Sequence, residues 1–126
     1  KPNTYIKGFR KLNYKNAPPL RYFGNILITL ILKFLTKNNH LKDVVNGFVC
    51  IPREIYINLD FKKISNDYFF EQDLIFQISL KKFKIDQKKI TTIYNSNIKS
   101  SLNEFRVIIP FLFKYLIMFC NKTKSK

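Results

Sequence analysis

The sequence predicts a mixed α/β domain, a sheet with helices packed on it. Three observations carry that reading. The elements follow one another as strand, loop, helix, strand, helix, strand and helix, an order of layered α/β domains rather than of bundles or barrels. Apolar residues recur at three- and four-residue spacing between Leu20 and Lys37, which marks one face of a helix. Between Phe83 and Tyr94 they alternate with lysines instead, the signature of a strand or a bent strand pair. A chain of 126 residues makes one domain, able to bury roughly two-thirds of its unfolded surface.

Taken in order, Thr4 to Arg10 reads as a short strand, Tyr5-Ile6, running into a loop at Gly8. Lys7 and Arg10 flank that glycine, which lets a backbone approach an anion closely, although a solvated loop would look the same. Lys11 to Pro19 is polar and ends in Pro18-Pro19, an extended loop. The helix Leu20–Lys37 places Arg21 and Asn25 one turn apart near its start. Its apolar core, Ile26 to Leu35, contains Lys33 and is too short to span a bilayer, so the helix is core or interfacial. Asn38-Asn39-His40 ends it. Asn46-Gly47 turns the chain into a short buried strand, Phe48 to Ile51, and Pro52 opens a helix of about two turns through Leu59. Ser65 or Asp67 can cap the next helix, Phe69–Lys82, whose apolar face is Phe70, Leu74, Ile75, Ile78 and Leu80. Asn95 to Ser101 is a polar loop. Leu102–Cys120 closes the pattern as a long apolar helix interrupted by Pro110 and Lys114.

Charge narrows the function classes. The net charge of +15 invites an anionic partner, nucleic acid or membrane. Yet only Arg10, Arg21, Arg53 and Arg106 among the 23 basic residues are arginine, and readers of bases and phosphates favour its bidentate fork. Nucleic acid is therefore not expected as a partner. Cys50 and Cys120 have no metal spacing, and with His40 the sole histidine neither a zinc site nor a Ser-His mechanism is expected. No signal peptide is legible, and the opening on Lys1 fits a processed chain or a piece of a longer one.

Against that basic background, six of the eight acidic residues fall between Lys42 and Ile85: Asp43, Glu54, Asp60, Asp67, Glu71 and Asp73. Asp43 precedes a turn, and Glu71 and Asp73 open a helix, so together they could wall a pocket. The plainer reading is that Asp67, Glu71 and Asp73 complement a helix N-terminus.

Several segments, in order, resemble the acceptor-side half of glycosyltransferase family 2, above all the polyprenyl- or dolichol-phosphate sugar transferases. YIKGFR is similar to the family strand that ends in glycine, a variable residue and arginine. PPLRYFGN resembles its proline–x–arginine helix start, and LKDVVNGFVCIPREIY its aspartate–asparagine–glycine–phenylalanine segment, with Val44 where the family has proline. ISNDYFFEQDLIFQISLKKFKI resembles its acid-bearing helix and following strand, and TTIYNSNIKSSL the loop before an interfacial helix. The resemblance covers about Tyr5 to Tyr115.

What it implies is an α/β fold that is part of a Rossmann-like, glycosyltransferase A-type domain in residues 1–101, followed by an amphipathic membrane-interface helix and basic tail in 102–126. The implied activity is transfer of a sugar from a nucleotide-diphosphate donor to a polyprenyl or dolichyl phosphate on the cytoplasmic face of a membrane. Glu71, with Asp73 next to it, would hold the catalytic acid position. Lys7, Arg10, Arg21, Asn25, Asp43, Asn46 and Gly47 would bind substrate. A divalent cation, magnesium or manganese, is expected in the full-length enzyme with ligands outside this chain, because no Asp-x-Asp occurs here; this chain alone is expected to be inactive. In the final helix, Phe111, Leu112, Tyr115, Leu116 and Phe119 would enter the acyl boundary while Lys114 meets anionic headgroups. The rival class is a non-enzymatic basic module for RNA or anionic membrane.

Overall fold

The centre of the fold is a strand whose two neighbours come from distant parts of the chain. The structure, a computed structural model, describes residues 3–10, 19–91 and 104–124. β1 (Thr4–Arg10) lies between β2 (Val49–Cys50) and β3 (Lys84–Ile90). β3 runs parallel to it over the full length, from Thr4 opposite Lys84 to Arg10 opposite Ile90. β2 is antiparallel, pairing Ile6 with Cys50 and Lys7 with Val49. A parallel neighbour needs a long crossover, and residues 11–83 supply it together with the helices that cover the sheet.

The expected loop at Gly8 is instead the middle of β1. Its N–H donates to the Phe48 carbonyl at 2.7 Å. A methyl group built on Gly8 would stand 3.2 Å from both Ile90 and Phe48. Glycine here admits close neighbours on both sides rather than turning the chain.

α1 (Pro19–Thr36) matches the expected helix, with proline at its first position, where a missing N–H costs nothing. Lys37 closes it in the left-handed region at φ 54°, a common helix stop. α2 is shorter than expected, Arg53–Tyr56, and single-turn bonds carry the chain on to Leu59. A 3₁₀ turn, Phe61–Lys63, follows, with Asp60 accepting from the Lys62 N–H. α3 (Phe70–Leu80) buries Leu74, Ile75 and Ile78 completely, as its spacing predicts. Neither expected cap takes that role. Phe69 occupies the position, Asp67 accepts from the Phe69 N–H at 2.9 Å, and Ser65 turns to Asp73.

α4 (Glu104–Lys124) runs on past Pro110 without ending there. It does not lie apart from the domain. Tyr115 and Met118 join Tyr5, Leu32, Val44, Ile55 and Leu74 in one core. That corrects the expectation for Tyr115, which faces protein, not lipid. The outer faces of α1 and α4 remain bare: Phe23, Leu27, Leu30 and Phe34 on one, Leu112, Phe113, Leu116 and Ile117 on the other. Among the described residues no helix is long and apolar enough to cross a membrane.

A candidate site of carboxylates and buried cations

The loop from Leu41 to Phe48 has no regular structure of its own and is held by side chains. Asp43, fully buried, is its main fastening. Its Oδ2 accepts from Arg10 Nε at 2.7 Å and from the Arg10 backbone N–H at 3.1 Å. Its Oδ1 accepts from Arg10 Nη2 at 3.2 Å and from Asn25 Nδ2 at 3.0 Å. Thr29 in turn donates to Asn25 Oδ1 at 3.3 Å. Burial alone would push the Asp43 carboxyl up. The hydrogen bonds from Arg10 and Asn25 and the guanidinium charge outweigh it and hold the group below its ordinary value.

Lys7 is also fully buried, and its ammonium donates to the Asn46 carbonyl. Burial drives its pKa from the ordinary 10.5 down to about 8, a fall that Arg10 reinforces and that the charges of Glu71 and Asp43 oppose. Asn46 fastens the loop a second time, donating to the Gly8 carbonyl at 3.2 Å and accepting from the Phe48 N–H at 3.1 Å. Glu71, half-buried on the first turn of α3, reaches the same place: a methyl group built on Gly47 would stand 3.0 Å from its Oε1.

Four separate stretches thus bring Lys7, Arg10, Asn25, Asp43, Asn46, Gly47 and Glu71 to one spot. Of the other anticipated residues, Arg21 lies in α1 but its side chain is outside the described residues. Asp73 is on the far side of α3, because positions two apart on a helix do not share a face. There its Oδ2 accepts from the Ser65 N–H at 2.9 Å and the Ser65 hydroxyl at 2.6 Å, and pairs with Lys114 Nζ at 2.8 Å. Lys114 also donates to Ser65 Oγ at 2.7 Å and lies over the Phe69 ring. Asp73 ties α3 to α4 through Lys114 and stands apart from the cluster around Glu71.

The arrangement pairs two cations, Arg10 and the wholly covered Lys7, with the Asp43 and Glu71 carboxylates, Arg10 by direct contact with Asp43 and Lys7 through their charge. Among the described residues no three metal-ligating side chains come together. The divalent cation that the resemblance implies therefore has no donor set in them. Sequence reading gave Ser65 and Lys114 other parts, a helix cap and a headgroup contact, and took Tyr5 only as a strand residue. The signal at Tyr5 was its place two residues from Lys7 and so on the same face of β1. Compared with protein-family models, with curated proteins and with solved structures, the chain matches none.

Proposed function

We propose that this chain is the acceptor-side half of a membrane-surface glycosyltransferase of the family 2 type, its sheet part of a Rossmann-like, glycosyltransferase A-type domain. The observation that supports it is the convergence of seven positions singled out in the sequence, spread from Lys7 to Glu71, on one loop-and-strand junction. In this reading the departing diphosphate of a nucleotide sugar gathers charge as the sugar leaves, and the Arg10 guanidinium with the field of Lys7 offsets it. A phosphate acceptor is already ionised, so Glu71 orients the acceptor. It would take a proton only from a hydroxyl acceptor.

The bare faces of α1 and α4 support the location. Leu30, Phe34, Leu112, Leu116 and Phe119 line a groove between the two helices, a volume of about 640 Å³. Phe34 is 69% exposed and Leu116 62%. Apolar patches of this extent mark interaction or membrane sites, and a chain of +15 adds attraction to anionic lipid. The same face also favours the membrane form of the rival reading, a basic module without transfer chemistry.

Vesicle flotation separates the two. Vesicles carrying polyprenyl phosphate should capture the chain several-fold better than vesicles matched in surface charge that carry polyprenol. Replacing Phe34 and Leu116 by serine should abolish capture by both, with the fold retained. Equal capture of phosphate and alcohol would leave only the basic module standing.

A further inference from the structure

Asn46 is followed by glycine, and three groups of the fold converge on the peptide bond between them. The Lys7 ammonium, fully buried, donates to the Asn46 carbonyl. The Phe48 N–H donates to Asn46 Oδ1 at 3.1 Å, which folds the side-chain amide forward over the Gly47 nitrogen. Glu71 closes on the same place from α3, its Oε1 3.0 Å from where a methyl group on Gly47 would stand. Gly47 is exposed and Asn46 half-buried, so water reaches both.

The backbone nitrogen after an asparagine can attack the side-chain Cγ and close an imide ring. Two obstacles keep that reaction slow: a side chain on the following residue crowds the ring, and a peptide nitrogen is a poor nucleophile while it holds its proton. Glycine removes the first. The second is eased by the three contacts. Charge left on the Gly47 nitrogen spreads to the Asn46 carbonyl oxygen, because the two belong to one conjugated peptide group, and Lys7 holds that oxygen. Attack at Cγ then puts charge on Oδ1, where the Phe48 N–H acts as an oxyanion donor. The Glu71 carboxylate stands beside Gly47 to accept the proton.

We propose that Asn46 is a self-modifying site, where the fold drives its own asparagine through a succinimide to aspartate or isoaspartate. The Gly47 nitrogen bonds to Cγ, the Cγ–Nδ2 bond breaks, and Nδ2 leaves as ammonia with the proton that Glu71 took from Gly47. Water then opens the ring at either carbonyl. With a pKa of about 8, Lys7 is mostly charged at neutral pH, as the step requires. The product has a carboxylate where the amide donated to the Gly8 carbonyl, so the loop loses its second fastening and the site gains a negative charge. The inference goes beyond the transfer reading and is measured without it.

The test incubates the purified 126-residue chain at neutral pH, folded and in concentrated guanidinium chloride. Peptide mapping by mass spectrometry resolves asparagine, succinimide, aspartate and isoaspartate at position 46. The folded chain should convert several-fold faster than the unfolded one. Lys7→Met and Glu71→Gln should each slow the folded chain roughly tenfold, about what one hydrogen bond to a charged group provides. Neither should change the unfolded rate. A folded rate at or below the unfolded rate overturns the proposal, since the fold would then protect Asn46. A folded rate indifferent to both substitutions overturns it as well. If Lys7→Met fails to fold, Glu71→Gln decides.

Discussion

Replacing Lys114 by methionine removes a charge from α4 while keeping most of its packing, and so isolates the tie between that helix and α3. The Asp73 side chain is 5% exposed and that of Lys114 26%. Breaking a buried ion pair from one side costs about 3–5 kcal/mol. Two features lower that figure here: Lys114 is already partly in water, and the Ser65 N–H and hydroxyl stay on the carboxylate. Lys114→Met should therefore cost about 2 kcal/mol. Asp73→Asn should cost a similar amount, and the two together less than the sum by about 1 kcal/mol or more, since each removes the same contact. Urea midpoints at unchanged slope measure all three. Glu54→Gln, exposed on α2, should stay within about 0.5 kcal/mol of the parent. If the two changes prove additive within about 0.5 kcal/mol, the pair is not a unit and Asp73 is no anchor.

Arg10→Ala leaves the fully buried Asp43 with Asn25 as its side-chain donor among the described residues and should cost about 3–5 kcal/mol in thermal or chemical unfolding at neutral pH. Because the folded Asp43 pKa is depressed, its stabilisation is complete above the ordinary carboxylate range and is lost as pH falls through the folded value. The gap between parent and variant should accordingly close in acid; a gap independent of pH would refute the clamp. Lys7 has the opposite sign. Its folded pKa of about 8 is below the ordinary 10.5, so the cost of burying it is in full force below pH 8 and eases as pH rises to 10.5. Lys7→Met should therefore gain on the parent by on the order of 2 kcal/mol more at pH 7 than at pH 10, and an equal difference at both values would show that Lys7 is not buried charged.

Regular apolar spacing made α1 legible as a helix, although Leu27, Leu30 and Phe34 of that pattern stand exposed while Asn25, Thr29 and Leu32 are buried. α3 is buried at every position from Gln72 to Ile78, and β3 shows no alternation of burial. The site was legible as a set of residues but not as an arrangement. Glu71 and Asp73 are neighbours in a motif and opponents on a helix, and Lys114, the partner that separates their roles, lies in a distant element. Gly8 misled because glycine signals both a turn and a close approach, and only the pressing of Ile90 and Phe48 against it distinguishes them. On α4 apolar residues surround the axis, so no spacing could tell that Tyr115 and Met118 turn inward while Leu116 and Ile117 turn out.

Every parallel rung between β1 and β3 joins residues eighty positions apart, Thr4 to Lys84 through Arg10 to Ile90. Closing so long a loop precedes any reward from the pairing, which places sheet assembly late and makes it slow. On a ribosome adding about 5–20 residues per second, β1 waits on the order of ten seconds for its long neighbour. Asp43 emerges about midway through that interval, so the Arg10 clamp can form first and hold β1 against the central loop. The buried ion pair is then a temporary fastener as well as a part of the finished site, keeping the central strand engaged until its last neighbour arrives.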